Sequence, residues 1–153
     1  MQISAAHWHL LLNHFPIVLS LTGTLFLIAA FISKKDFLKL SGLIILIIAA
    51  LLSWPAFSTG QNAEDPVEEI AGVSREAINT HSDLAVIGFR IMIVTGIIAF
   101  ISLVLLNRKH PFAKYFIIFS LIGGLISSGY LGYVGYTGGE IRHAEIRGDF
   151  FGK

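Results

Sequence analysis

The sequence predicts an all-α integral membrane protein: one transmembrane domain, built as a four-helix up-down bundle. Three observations predict it. Of 153 residues, 54% are hydrophobic and only 14% are charged, against about 25% charged in ordinary soluble domains. The apolar residues gather into four runs of about 20 residues or more, enough to cross ~30 Å of hydrocarbon at 1.5 Å per residue. The runs are joined by short basic loops or by one longer acidic linker. This composition excludes a disordered chain, an extended nucleic-acid-binding surface and a disulfide scaffold. The chain has no cysteine, which excludes thiolate zinc sites, iron–sulfur clusters, c-type haem attachment and a cysteine nucleophile.

The first span is expected over residues 9–32. It is too long for a signal-peptide core and has no basic residue before it, so it reads as a retained anchor. The second, over 37–57, comes after a short basic loop, so spans one and two should form a hairpin. An outer linker, 58–83, comes next. Within it Asp65-Pro66-Val67-Glu68 offers an N-cap, a proline at the first helical position and an acid three residues after the cap. Gly72 would end that short helix, and Ser74 or Asn79/Thr80 would cap the next one. The third span is expected over 84–106, with His81 in or near its first turn. The fourth runs over 112–136 and leaves a tail, 137–153. Pro16 and Pro55 should kink their spans, with bundle neighbours re-satisfying the freed carbonyls. No internal repeat is evident.

Charge placement orients the bundle. The two short loops carry Lys34, Lys35, Lys39, Arg108, Lys109 and Lys114 against a single acid, Asp36. The opposite side carries four basic residues and nine acids. By the positive-inside rule the short loops face the cytoplasm. Both termini and the linker then face the periplasmic side of a bacterial inner membrane.

Five of the six histidines map to that outer side: His7, His9, His14, His81 and His143; only His110 lies in an inner loop. Imidazole suits haem iron, copper and zinc. Two histidines on facing helices at one depth can supply both axial ligands of a b-type haem. A lone interfacial histidine more often sits among headgroups and water, but polar groups near membrane depth tend to be functional. His9 and His14 are five apart, about 140° around a helix. One regular helix therefore cannot present both to one metal. Either His9 serves a second site, or the helix begins after it and a loop returns it to the bundle. His14 and His81 form the first candidate ligand pair, with His143 and His9 a second pair or substitutes. No acid accompanies them within the hydrocarbon, which argues against a dicarboxylate di-iron site.

Arg90 falls inside span three, where a guanidinium needs a partner or water. A ligand carboxylate such as a haem propionate would satisfy it; snorkelling toward Asp83 would do so equally. In span four Gly124, Ser128 and Gly132 form a small-residue stripe. It suits close helix packing first and a flat macrocycle second. Tyr130, Tyr133 and Tyr136 read as interfacial belt residues, with Tyr133 and Gly132 as second candidates for cofactor contact. Trp8 and Trp54 fit the same belt.

The opening His9-Leu-Leu-Leu-Asn-His14-Phe15-Pro16-Ile17 resembles the H-x4-H-F-P-I start of a family of small, largely uncharacterised bacterial membrane proteins of unknown function. Gly60-Gln-Asn-Ala63-Glu64, His81 and the ending Thr137-Gly-Gly-Glu-Ile-Arg142-His143 look like features of the same group. The resemblance covers nearly the whole chain. It implies a b-type haem role, carried by position on His9, His14, His81 and His143. It implies no activity.

The expected function is therefore a membrane b-type cytochrome. It would bind one or two haems by bis-His ligation near the outer face and exchange electrons with a quinol, a periplasmic carrier or another redox membrane protein. The alternatives are a copper- or zinc-binding protein using the same histidines, and a non-catalytic subunit of a larger membrane complex. The lipid bilayer is the one partner that composition demands. An oligomer is compatible with the glycine stripe, and nucleic acid is not expected. A stand-alone hydrolase is disfavoured, because no nucleophile elbow, P-loop or HExxH is present.

Overall fold

A computed structural model describes residues 4–69 and 73–142. The described residues form six helices and no strands: α1 (Ala5–Leu12), α2 (His14–Ser33), α3 (Asp36–Gln61), α4 (Glu64–Glu68), α5 (Arg75–Asn107) and α6 (Ala113–Arg142). Four helical segments are long and apolar enough to cross a membrane, with α1 and α2 counting as one. Only 28–39% of each apolar window is buried inside the protein. Most apolar side chains therefore face outward, which suits lipid and not water.

The helices overrun the expected spans at the end that carries the histidines. α3 continues to Gln61, α5 begins at Arg75, and α6 continues to Arg142. The expected linker 58–83 is thus mostly helical. Its short helix is α4, capped by Ala63 and not by Asp65, which falls in the first turn. Ser74 caps α5 as expected, its Oγ accepting from the N–H of Ala77 at 3.4 Å. His81 consequently lies two turns inside α5. Gly72 and His143 lie outside the described residues.

The first span is broken at Asn13. The cause is Pro16, which has no N–H for the Leu12 carbonyl and whose ring crowds it. The chain therefore restarts at His14, with Pro16 tolerated in the first turn of α2.

α2 packs on α3, α3 on α5, α5 on α6 and α6 on α2, so the four long helices close a ring. α1 lies mainly against α3. The core holds Leu27, Leu43, Leu46, Ala49, Met92 and Ala99, together with buried hydroxyls. Small residues let the backbones approach. A Cβ on Gly42 would lie 2.8 Å from Leu27 Cγ and 2.9 Å from the Gly23 carbonyl oxygen. Across the other hairpin Thr95 meets Ser127 at 3.0 Å and Ser102 meets Ser120 at 2.8 Å.

The two hairpins share a repeated plan that is not evident from the sequence. Each turns at its basic end through a lysine with positive φ, Lys34 (56°) and Lys109 (51°). Each carries a Thr-Gly step in the last turns of its second helix, Thr59-Gly60 and Thr137-Gly138. The Thr137 hydroxyl donates to Val134 O at 2.9 Å, and the Thr59 hydroxyl reaches Pro55 O at 2.7 Å and Ala56 O at 3.0 Å.

Candidate functional site: an imidazole pair

The two Thr-Gly steps position two histidines. His9, on α1, seats its ring on Gly60: a Cβ there would lie 2.8 Å from His9 Cε1. His81, on α5, seats its ring on Gly138, where a Cβ would lie 2.9 Å from His81 Cε1. Only glycine leaves that space. The rings face each other edge to face, with centroids 6.3 Å apart and planes at 72°.

The hydrogen bonds define the tautomers. A carbonyl can only accept, so the Nδ1–H of His9 donates to Ala56 O at 2.9 Å. The Thr137 hydroxyl already donates to Val134 O, so at 3.1 Å it accepts from the Nδ1–H of His81. In its neutral form each imidazole then carries its lone pair on Nε2. Anchoring one ring nitrogen to a carbonyl or hydroxyl is the usual way a protein orients a metal-ligating histidine.

The pair sits at one level. Gly60, Gly138 and His81 lie roughly 36–40 Å along their helices from the basic turns, at 1.5 Å per residue, and the His9 ring is level with Gly60. That exceeds the ~30 Å thickness of a hydrocarbon core. Beside it Ser82 Oγ donates to Glu64 Oε1 at 2.7 Å, tying the linker to α5.

The first expected pair, His14 with His81, is not the pair that meets. His14 is exposed, and its ring Nδ1 lies 3.3 Å from Leu10 O of its own chain segment. His9 occupies the place beside His81 because α1 is a separate helix laid on α3. A new helix does begin after His9, at His14, but His9 is carried to the bundle by the helix α1 and not by a loop. His7 is exposed and bonded to Ser4. His143 lies outside the described residues.

The remaining candidates face outward. Arg90 is exposed on α5, nine residues from His81 and so on the opposite face. It stands about 27 Å along the helix from Arg108, near the hydrocarbon edge. Tyr133 is 53% exposed and Trp54 65%, and both lie at a similar level. The small-residue stripe divides: Gly124 and Ser128 pack on Thr24 of α2, whereas Gly132 has no atom within 4 Å of a Cβ position.

Sequence reasoning missed Thr137, Gly60 and the Ala56 carbonyl as supports for imidazoles. The repeated Thr-Gly step was the available signal. Among the described residues no group of three or more His, Cys, Asp or Glu is placed to hold a metal ion. Compared with models of known families, with curated proteins and with solved structures, the chain matches none. The fold and site together define a class: an all-helical protein with four helices of membrane-spanning length and an anchored imidazole pair at one end.

Proposed function

We propose that the chain is a membrane b-type cytochrome whose haem iron is held by His9 and His81. The anchored pair supports this reading: two rings held through Nδ1, which leaves Nε2 of each neutral imidazole for a ligand, and centroids 6.3 Å apart. A two-donor set suits haem, because the porphyrin supplies the other four donors. Tetrahedral zinc needs about four protein ligands, and its missing donors would have to come from outside the described residues. A bound haem would supply one-electron chemistry. The chain's own part is to orient the two imidazoles, fix which nitrogen faces the ligand and hold the site at the membrane edge.

In the same reading the bundle is up-down in a bacterial inner membrane. Partner residues run in opposite order in neighbouring helices, as in Ser102–Ser120 and Thr95–Ser127, which supports that arrangement. The basic loops face the cytoplasm and the imidazole pair faces the periplasm. Electrons then pass to or from a quinol or a periplasmic carrier.

The test is a pyridine haemochrome spectrum with metal analysis on protein purified from haem-replete cells. The expected result is b-type haem with a low-spin bis-His spectrum. That spectrum should be lost in His9→Ala and His81→Ala and retained in His14→Ala. Stoichiometric copper without porphyrin would replace haem by a two-coordinate copper site. A colourless, metal-free, folded protein would overturn the reading.

A further inference from the structure

Asn13 lies one turn from His9. The bond from Asn13 N–H to His9 O, 2.9 Å, keeps the two in helical register, so the carboxamide lies beside the imidazole along one side of the chain. Asn13 stands where α1 breaks from α2, yet its side chain makes no cap bond to α2. Its Oδ1 is buried and has no hydrogen-bond partner among the described residues. Leaving a buried acceptor unmatched is more unfavourable than an average hydrogen bond is favourable. A protein that retains such a group one turn from His9 is short of one partner.

We infer that the Asn13 carboxamide is the third polar contact of the ligand that His9 and His81 hold, and that it binds a carboxyl group of that ligand. The inference rests on the haem reading above, since a haem carries two propionates. A half-turn of the amide exchanges its oxygen and nitrogen. The buried edge can therefore accept from a protonated carboxyl or donate to a carboxylate. A propionate reaching Asn13 would fix which way round the ligand sits, a task that two axial imidazoles alone do not perform. Arg90, on the opposite face of α5 from His81, is not required for it.

Two probes separate this role from a structural one: haemin, and haemin dimethyl ester, in which the carboxyl groups are blocked. Both are titrated into detergent-solubilised wild type and Asn13→Leu, and the thermal stability of the ligand-free proteins is measured. Asn13→Leu should weaken haemin roughly three- to tenfold, the size of one hydrogen bond. It should leave the ester unaffected. Ligand-free Asn13→Leu should be at least as stable as wild type, because it removes an unmatched buried group. Equal loss for haemin and ester, unchanged haemin affinity, or a less stable ligand-free variant would each overturn the inference and leave the haem reading standing. Wild type that binds neither probe would overturn both.

Discussion

The two hairpins of the bundle share one plan with different chemistry. The first, α2 with α3, closes on glycine: Gly23 and Gly42 interlock with Leu46 and Leu27. The second, α5 with α6, adds hydroxyl pairs to its glycine contacts: Thr95 meets Ser127 and Ser102 meets Ser120, while Gly88 packs on Leu131 and Gly123 on Thr95. Both solve the same problem, because helices in lipid have no hydrophobic force between them and must associate through close packing or polar contacts. The glycine solution depends on shape and tolerates no added volume. The hydroxyl solution depends on paired donors, each of which can fall back on its own helix carbonyl, as Ser102 does on Ile98 and Ser120 on Phe116. At their far ends the hairpins converge again, each seating one imidazole on a glycine.

The sharpest way to break the comparison is to add volume to the first hairpin. Gly42→Leu should destabilise the protein by about 3 kcal/mol through overpacking against Leu27 and the Gly23 backbone. Reversible unfolding in mixed micelles measures it, and a loss below about 1 kcal/mol would mean that the hairpin is not closed on this contact. Next come the seats. Gly60→Ala and Gly138→Ala should each push an imidazole off its anchor, with equal loss of haem per mole of protein while the helical content by circular dichroism stays the same. Unequal losses would show that one hairpin alone holds the ligand.

The turns come third. Lys34→Gly and Lys109→Gly should each stabilise by about 1 kcal/mol, because the left-handed backbone that strains lysine is free for glycine. Thermal melts check the sign. The smallest effect belongs to the hydroxyls. Ser102→Ala should cost about 0.6 kcal/mol, the mean for hydrogen bonds between membrane helices. A loss as large as that of Gly42→Leu would erase the difference between the two hairpins.

The spans were readable because their signal is long and additive. Twenty apolar residues outvote any single exception, and the basic turns at Lys34 and Lys109 punctuate them. The ends were read too short. Polar residues such as Thr59, Asn79 and Thr137 resemble a linker by composition, although they continue the helices beyond the hydrocarbon. Ser74 was legible as a cap because capping is local chemistry. The repeat was not, because its elements are few and widely spaced: one histidine, one Thr-Gly step and one turn lysine per hairpin.

By itself the sequence determined four apolar helices, the basic turns between them and the gathering of histidines at the opposite end. Each of these stems from local composition and from the need to satisfy every backbone group in lipid. Only the tertiary structure decided that His9 and not His14 meets His81. That choice depends on Pro16 breaking the first helix and on α1 lying against α3. It depends also on two glycines, 78 positions apart in the chain, coming level at one end of the bundle. These are relations between distant segments, and no periodicity within one segment encodes them.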